Sequence, residues 1–510
     1  MQETPYARLP VSEEPGQSSV AVRHPIWRWG AAVLVAVAWG VASAFWTPRG
    51  PLTTAQALWS IGFSLAVGVG VGWTTRSRWS MPLAPVAFVV ALELARWPIT
   101  GPSVDGIHLS PFGVLVLISG RGVHGLLSVL PMVFGAAYGA GIARRAASTR
   151  TGSRALRYLG RAGTGLLAAV VLLVTVAVAV PARTAPILGP DGEPLTNSVA
   201  ELGSIDVGPH RLGVMIRGND TSAPVLLYVP GAPGGSDIGP VRRHLEELER
   251  QFVVVTLDRR GGGKSASSLD PTSALTLESA VVDVIAVTNH LRDRFGQEKI
   301  YLLGHSGGSL LTTLAVQRRP ELFRAYIGTG QAVNLPTSDR IFHEDHLTWA
   351  RERADGELER RLVDLGPPPY PGFYPYEPFV THTNEVYAYD RSRNAEGDGG
   401  PTESLNVPEY TLLEKLHTLT GLVDTWSVLY PLMQDVDLRT DVRQLQVPVY
   451  FVQGGHETRA LAEPFAQWYE LLQAPSKRLV VLETSGHRPM FEQPDRFVDV
   501  MATVLTDTRP

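Results

Sequence analysis

The sequence predicts an α/β domain preceded by an all-α transmembrane region of about five helices. Charged residues are sparse up to about Pro181 and frequent afterwards, and five long apolar stretches fall in the charge-poor part. After about residue 200, apolar strand-like runs alternate with helical patterns, which is typical of a parallel sheet with helices on both faces. At 510 residues the chain is also long enough for two or more units.

The composition excludes several classes of function. The formal net charge of -4 gives no reason to expect nucleic acid as a partner. The chain has no cysteine, so disulfides, thiolate chemistry and cysteine-based metal sites are excluded. We expect no cofactor and no metal, and the composition leaves the oligomeric state open.

The first part of the chain is expected to lie in the membrane. Residues 1–24 are polar and predict a cytoplasmic N-terminal tail, and residues 25–182 predict the transmembrane region. Each of five apolar stretches has, or nearly has, the roughly 20 helical residues that a hydrocarbon core requires. These stretches are Pro25–Trp46, Leu52–Trp73, Met81–Trp97, Gly122–Ala143 and Ala162–Ala182. The run Phe112–Ser119 is too short to span alone, which predicts a re-entrant or interfacial segment.

Three details qualify this region. Ala42-Ser43-Ala44 resembles a signal-peptide cleavage site, but four further apolar stretches favour an uncleaved anchor. Glu93 and Arg96 interrupt the third stretch and are spaced to form an anchoring pair on a helix. Gly135 and Gly139 form a G-x-x-x-G pattern that permits close helix packing, although random glycine spacing accounts for it equally well.

Arginine residues predict the orientation. With a cytoplasmic N-terminus, the outer loops carry only Arg49, Arg96 and Arg121. The inner side carries Arg8, Arg23, Arg28, Arg76, Arg78, Arg144, Arg145, Arg150, Arg154, Arg157 and Arg161. Because basic residues favour the cytoplasmic side, five crossings would place everything after Ala182 outside the cytoplasm. A count of four, with the third stretch not crossing, would reverse that result.

The rest of the chain predicts a linker and one α/β domain. Residues 183–202 are rich in proline and glycine and predict the linker, and residues 203–510 predict the domain. A hairpin is expected at Ser204–Arg217, and an insertion at about 334–446 interrupts the sheet. The expected strands are Val225–Val229, Phe252–Leu257, Lys299–Leu303, Ala325–Ile327, Val447–Val452 and Arg478–Leu482. The expected helices include Val241–Arg250, Leu277–Phe295, Ser309–Arg318 and Arg496–Leu505.

The stretch Gly304-His305-Ser306-Gly307-Gly308 carries the clearest chemical signal. It follows a predicted strand and precedes a predicted helix, which is the setting of a nucleophile elbow that exposes a serine hydroxyl at the sheet edge. Gly304 and Gly308 would permit the tight turn. Gly-x-Ser-x-Gly also occurs by chance in a chain with 50 glycines, but the strand and helix on either side favour the elbow.

A nucleophilic serine needs a base, and the base needs an orienting acid, in the chain order Ser, acid, His. His487 follows the last predicted strand, whereas His456 comes one strand too early. Glu457 is the first carboxylate after Val447–Val452, and the alternative is an exposed loop glutamate. The predicted triad is therefore Ser306, Glu457 and His487.

The oxyanion of an acyl-transfer intermediate needs two hydrogen-bond donors. The backbone N–H of Gly307, directly after the nucleophile, is one candidate. The other is the N–H of Ala232, in the loop Pro230–Gly235 that follows Val225–Val229. A glycine- and proline-rich loop that merely turns the chain is the alternative.

These residues resemble a known family. Val229-Pro230-Gly231-Ala232-Pro233-Gly234-Gly235, Asp258-Arg259-Arg260-Gly261-Gly262-Gly263-Lys264-Ser265, the elbow and Ser485-Gly486-His487 are similar to the marked segments of proline iminopeptidase-like α/β-hydrolases. The resemblance implies an α/β-hydrolase sheet with a cap insertion, here about 334–446. It covers roughly residues 200 to 510. Gly263-Lys264-Ser265 does not form a phosphate loop, because Asp258 stands where the first glycine should be.

The sequence departs from this family at several positions. Pro230 stands where the family has histidine, Ala232 where it has glycine, Gly307 where it usually has tryptophan, and Glu457 where it usually has aspartate. These departures argue against specificity for peptides more than they argue against hydrolytic activity. The family's cap glutamates hold a substrate amine, and Glu344, Glu352, Glu357 and Glu359 are available here, although a solvated helix face is favoured. The segment Phe373–Tyr376 is expected to form an aromatic roof or an exposed loop.

Three function classes follow. The favoured one is a membrane-anchored serine hydrolase, aminopeptidase-like, acting on a small-molecule or peptide substrate and bound to the lipid bilayer. The second is an esterase or lipase with the same machinery, and the third is a non-catalytic binding or sensing module. The expected location is the cell membrane, with the α/β domain outside the cytoplasm.

Overall fold

The computed structural model describes residues 26–147, 154–388 and 401–509. The expected N-terminal tail, 1–24, lies outside the described residues. The first part of the chain is entirely helical, and its helices are α1 Ile26–Trp46, α2 Thr54–Thr75, α3 Ser80–Ala95, α4 Pro111–Ala146 and α5 Arg154–Ala179. Within the described residues, four of these helices are long and apolar enough to cross a membrane, and α3 is a shorter apolar helix.

Helix α4 differs from the sequence prediction. Phe112–Ser119 is not a separate re-entrant segment, because Pro111–Leu117 continues through a π-helical turn at Ile118–Gly122 into Val123–Ala146. At 36 residues, α4 is about 54 Å long at ~1.5 Å per residue, which exceeds the hydrocarbon thickness. Its first turns pack against protein instead of lipid, since Val116 is fully buried with Phe373 and Val423.

Small residues let α2 and α4 approach closely. A Cβ added at Gly135 or Gly139 would lie 2.4 or 2.3 Å from backbone oxygens of α2. The same holds in return for Gly68 and Gly72, which meet the backbone of α4 at 2.2 Å. The G-x-x-x-G pattern is therefore a helix contact, and its partner is a second such pattern on α2.

The second part of the chain contains one eight-stranded sheet with the order β1-β2-β4-β3-β5-β6-β7-β8. Strands β1 and β2 pair antiparallel, β2 pairs antiparallel with β4, and the remaining pairs are parallel. The strands are β1 Val199–Val207, β2 His210–Gly218, β3 Val225–Val229, β4 Val253–Leu257, β5 Ile300–His305, β6 Phe323–Thr329, β7 Val449–Gly454 and β8 Lys477–Leu482. Strand β1 begins inside the segment 183–202 that the sequence predicts as linker.

The sheet is covered on both faces, which explains its nearly continuous apolar strands. Leu227 and Val229 lie in one hydrophobic cluster, and Leu226 and Tyr228, which alternate with them, lie in the other. The surrounding helices are α6 Ile238–His244, α7 Leu277–Phe295, α8 Gly307–Arg318, α15 Arg459–Leu471, α16 Pro489–Glu492 and α17 Pro494–Thr508. The predicted helix Val241–Arg250 is instead α6 followed by a 3₁₀ segment, Glu246–Arg250.

The cap lies between β6 and β7. Its helices are α9 Leu335–Glu352, α10 Gly356–Leu365, α11 Glu377–Val386, α12 Pro401–Leu405, α13 Leu412–Leu429 and α14 Leu438–Asp441. Helix α13 begins with a capping box in which Thr411 and Glu414 bond each other's backbone. After α13, a 3₁₀ turn at Pro431–Met433 leads back towards the sheet.

The cap also packs on the helical first part of the chain. Leu413 lies in a cluster with Ala57, Ile61 and Leu127, and His108 stacks on Tyr374 with ring centroids 4.0 Å apart. The α1–α2 loop and the α3–α4 loop both take part in this contact. Both therefore lie on the same side of the helical region as the α/β domain.

Candidate active site

Ser306 lies on a tight turn between β5 and α8, with φ 50° and ψ −129°. Positive φ is costly for a residue with a side chain, and such strain is concentrated at functional sites. The N–H of Ser306 donates to the Thr329 carbonyl at 2.9 Å. A Cβ at Gly304 would lie 2.1 Å from Thr312 Oγ1, and one at Gly308 would lie 2.3 Å from the Pro230 carbonyl oxygen. The turn thus presents Ser306 at the carboxyl edge of the sheet.

The structure brings Ser306, His487 and Glu457 together. His487 Nε2 lies 2.9 Å from Ser306 Oγ, and His487 Nδ1 lies 3.0 and 3.1 Å from the two carboxylate oxygens of Glu457. A carboxylate only accepts hydrogen bonds, so Nδ1 carries the proton and Nε2 is left to accept one from the serine. The Glu457 side chain is 4% exposed and that of His487 29%. The imidazole is therefore oriented from its buried side and open on the other.

Loops at the ends of neighbouring strands position these groups. Glu457 follows β7 and His487 follows β8, and the two loops touch because a Cβ at Gly454 would lie 2.0 Å from the Gly486 carbonyl oxygen. The N–H of Gly486 donates to Glu492 Oε2 at 2.6 Å, which anchors the histidine loop to α16. Glu457 Oε1 also accepts from the N–H of Thr458 at 2.8 Å, which fixes its carboxylate.

His305 packs beside this group without joining the relay. Its ring lies 4.9 Å from the ring of His487, and its Nδ1 lies 3.2 Å from Thr329 Oγ1. Burial lowers the pKa of His305 well below its ordinary value. The elbow histidine is therefore neutral at ordinary pH and fills space below Ser306. His456 is exposed at the start of the Glu457 loop.

Gly307 and Ala232 lie next to each other beyond the serine. The Cβ position of Gly307 is 3.7 Å from the Ala232 backbone nitrogen. Ala232 has a positive φ of 35°, so its loop is strained in the same neighbourhood as Ser306. A Cβ at Gly231 would meet Ser306 Cβ at 2.8 Å, which places this loop directly against the nucleophile. Two backbone N–H groups therefore lie close together beside Ser306.

Two residues at this place were missed by the sequence analysis as contributors to the site. Arg259 is buried, and its Nη1 donates to the Ala232 carbonyl at 2.9 Å; burial lowers the pKa of Arg259 to about 10. Met433, from the cap, has its Cε 3.9 Å from the Cβ position of Gly307. Arg259 belongs to the motif Asp258–Ser265, but that motif does not indicate that its partner is the Ala232 carbonyl. The position of Met433 depends on how the cap folds back onto the sheet.

The cap features singled out by the sequence lie elsewhere. The segment Phe373–Tyr376 is neither a roof nor an exposed loop, because it packs against the helical first part of the chain. The ring centroids of Phe373 and Phe112 lie 5.1 Å apart, and Tyr374 stacks on His108. Of the four cap glutamates, Glu344, Glu352 and Glu357 are exposed and Glu359 is half-buried. Glu344 pairs with Arg340 and Glu359 with Arg351, both at 2.8 Å.

The cap also holds a buried carboxylate that the sequence did not single out. Asp339 accepts hydrogen bonds from Tyr376, Tyr430 and Gln434 at 2.9, 2.6 and 3.0 Å. Burial raises the pKa of Asp339 to about 6, and these three donors oppose the rise. Its donors come from two cap segments, the turn at Tyr374–Tyr376 and the turn that follows α13, so Asp339 on α9 ties three parts of the cap together.

Comparison with known proteins places this chain in a family. Residues 224–494 match the family model described as alpha/beta hydrolase fold. The chain is 31% identical over 321 residues to the probable aminopeptidase YbaC of Bacillus subtilis (strain 168), which covers 61% of this chain and 97% of that protein. The resemblance to proline iminopeptidase-like hydrolases is thereby confirmed.

Two solved structures are also similar. A proline iminopeptidase-related protein from Thermus thermophilus is 20% identical with a TM-score of 0.42, covering 61% of this chain and 98% of that one. A proline iminopeptidase of Mycobacterium smegmatis is 17% identical with a TM-score of 0.42, covering 60% and 98%. Because both TM-scores are low, the assignment rests on the sequence matches. The chain belongs to the α/β-hydrolase fold family and is a hydrolase.

Proposed function

We propose that the chain is a membrane-anchored serine hydrolase that works through an acyl-enzyme and is aminopeptidase-like. The observation that carries this proposal is the relay in which His487 lies 2.9 Å from Ser306 Oγ and 3.0 Å from Glu457. Such a relay lets a neutral imidazole take the serine proton while a buried carboxylate stabilises the resulting imidazolium. The similarity to a probable aminopeptidase supports the substrate class.

The reaction would run in two acyl-transfer steps. Ser306 Oγ attacks the scissile carbonyl carbon as its proton moves to His487 Nε2, and the N–H groups of Ala232 and Gly307 donate to the oxyanion. The C–N or C–O bond then breaks as His487 protonates the leaving group, which leaves an ester on Ser306. Water, deprotonated by His487, hydrolyses that ester and restores the serine.

A second candidate is an esterase or lipase that uses the same residues. An aminopeptidase needs a group that holds the substrate amine, and none of the four cap glutamates considered for that role is buried. The cap also packs directly on the apolar helices, through Leu413 with Ala57 and Ile61. The cap would then lie next to the bilayer from which such an ester comes.

The anchoring proposal places the α/β domain outside the cytoplasm. Three features support it. They are the long apolar helices, the arginine-rich termini of those helices on the side away from the α/β domain, and the contact of the α1–α2 and α3–α4 loops with that domain. The three arginines expected on the domain side are paired. Arg49 binds Asp270 and Asp424, and Arg96 and Arg121 both bind Glu93.

The test compares substrates and labels the nucleophile. Purified protein is assayed on proline and alanine arylamides beside short- and long-chain aryl esters, and is then treated with a fluorophosphonate probe. We expect hydrolysis, with arylamides favoured, and labelling that is lost in Ser306→Ala. Preference for the esters would select the second candidate. Equal labelling of parent and Ser306→Ala would contradict the catalytic role of Ser306.

A further inference from the structure

The helical first part of the chain is joined to the α/β domain by a buried ion pair. Arg49, in the α1–α2 loop, has its Nη1 3.1 Å from Asp424 Oδ2 on cap helix α13, and both side chains are at most 5% exposed. Arg49 also bonds Asp270 at 3.0 and 3.2 Å and donates to the Thr100 carbonyl at 2.7 Å. A buried charge network of this kind depends on geometry, because losing one partner leaves the others unpaired.

Asp424 is held from the α3–α4 loop as well. Its Oδ1 accepts from the N–H of Ser103 at 2.8 Å and its Oδ2 from the Ser103 hydroxyl at 2.5 Å. One residue earlier on α13, Val423 is fully buried against Val116 of α4. Nearer the start of α13, His417 Nε2 lies 3.3 Å from the Pro51 carbonyl. One face of α13 is thus held along its length by the helical first part of the chain, which we call the membrane region.

The adjacent face of α13 contacts the loop that carries Ala232. A Cβ at Gly234 would lie 2.5 Å from the Gly421 carbonyl oxygen and 2.8 Å from Thr425 Oγ1, both on α13. Thr425 Oγ1 also donates to the Arg260 carbonyl at 3.3 Å. The contact therefore includes the turn that follows β4.

That turn in turn holds Ala232. Arg259 donates to the Ala232 carbonyl at 2.9 Å, and the N–H of Arg259 donates to the Gly235 carbonyl at 3.2 Å. Beyond α13, the chain continues to Met433, which lies over Gly307. A continuous path of contacts therefore leads from Arg49 through Asp424, α13 and Gly234 to the two N–H groups beside Ser306.

We propose that Arg49 is a positioning residue for the oxyanion hole, and that the membrane region sets the geometry of Ala232 and Gly307 through α13. This inference rests on the proposed function, since it assigns those N–H groups to an oxyanion. Arg49 touches no reacting atom and acts only through α13. The membrane region is then part of the catalytic apparatus as well as an anchor.

An oxyanion hole acts in the transition state, so its distortion should lower kcat more than it raises KM. The variants are Arg49→Met, which removes the cation, and Arg49→Met/Asp424→Asn, which also removes the charge left on α13. Arg318→Met is the matched control, since Arg318 pairs with Glu278 on the exposed surface. All are measured as full-length protein in detergent, with kcat expressed per fluorophosphonate-labelled serine.

We expect kcat per labelled site to fall about ten-fold or more in both Arg49 variants, while KM stays within about two-fold of the parent. The fall in kcat should not exceed the loss that follows removal of one oxyanion donor. A trifluoromethyl ketone, which forms a tetrahedral oxyanion with the serine, should bind more weakly by a similar factor. Arg318→Met should match the parent. The double variant should recover thermal stability without recovering kcat.

A purely structural clamp gives a different result. Lower Tm with parental kcat per labelled site and parental ketone affinity would overturn the inference while leaving the proposed function intact. A parent protein that hydrolyses no substrate and takes no label would instead contradict the proposed function itself. The two failures are therefore distinguishable in one set of measurements.

Discussion

Glu457 is the member of the proposed triad whose replacement is most informative. Both of its carboxylate oxygens lie within 3.1 Å of His487 Nδ1. Glu457→Gln keeps the volume but offers an amide that can donate to Nδ1 and so favour the wrong tautomer. We expect turnover to fall by roughly 10²- to 10⁴-fold, as when the base of a triad is misoriented. Steady-state kinetics on the best substrate measure it.

The control for this variant is Glu344→Gln, an exposed cap glutamate paired with Arg340. It should retain parental turnover, and both variants should unfold near the parental temperature. If Glu457→Gln stayed within a few-fold of the parent, another acid would have to orient His487.

At the level of residues, the sequence predicts the site residues whose position follows from chain order. Ser306, Glu457 and His487 each stand in the turn or loop that follows a strand, and parallel strands bring such positions to one edge. Met433 and the bond from Arg259 to Ala232 could not be predicted. Both depend on how the cap and a neighbouring loop pack, and no local pattern encodes that contact.

Among the elements, cap helix α9 should weaken in acid because of His346. This side chain is buried among Phe342, Phe379 and Tyr387, and its Nδ1 lies 2.7 Å from the Phe342 carbonyl. Burial lowers the pKa of His346 to about 4 from an ordinary value of 6.5. As the pH falls, His346 therefore binds a proton near pH 6.5 in the unfolded chain but only near pH 4 in the folded protein. Stability should fall across that window by up to about 3 kcal/mol.

His346→Phe removes this titration and keeps an aromatic ring in place. We expect Tm to fall less between pH 6.5 and 4 in this variant than in the parent. Thermal unfolding in detergent at several pH values measures the difference. His290→Phe, at an exposed position on α7, is the control and should keep the parental slope. An unchanged slope in His346→Phe would assign the acid sensitivity to other groups.

The crossing of α2 and α4 is the second element whose packing can be tested. A Cβ at Gly139 would lie 2.3 Å from the Val69 carbonyl oxygen, whereas one at Gly141 has no neighbour within 4 Å. Gly139→Leu should therefore force the helices apart and lower Tm by several degrees, and Gly141→Leu should not. Thermal unfolding of both variants in the same detergent measures the difference, and equal Tm values would contradict the close contact.

This crossing also explains what the sequence could predict about elements. Strand and helix positions in the α/β domain follow from hydrophobic periodicity, and α7 has the predicted limits Leu277–Phe295. The pattern at Gly135 and Gly139 was ambiguous because it indicates a contact only when a partner is known. That partner is a second glycine pair, Gly68 and Gly72, on another helix.

For the whole molecule, the two-part organisation follows from charge distribution, but the contact between the parts does not. Arg49 and Asp424 are 375 residues apart in the chain, and neither belongs to a motif. Arg49 was identified only as one of three arginines on the domain side. Its pairing with Asp270 and Asp424 offsets the desolvation cost of burying its cation.

The last prediction concerns the number of crossings and hence the side on which the hydrolase works. The α1–α2 loop and the α3–α4 loop both contact the α/β domain, through Arg49 and through Ser103. If α2 crosses the membrane, the 16-residue α3 must cross back, because otherwise the second loop could not reach the domain. We therefore expect five crossings and, from the arginine distribution, a domain outside the cytoplasm.

Reporter fusions measure this directly. Alkaline phosphatase fused after Asn197 should be active and green fluorescent protein at the same place dark, because the first folds only outside the cytoplasm and the second only within it. Fusions between Arg144 and Arg161 should give the opposite pair, and immunoblots control for expression. Bright fluorescence after Asn197 would mean an even number of crossings and a cytoplasmic substrate. Since the domain contacts both loops, α2 and α3 must cross as a pair or not at all. With a cytoplasmic N-terminus, such a result would therefore require α1 not to cross the bilayer.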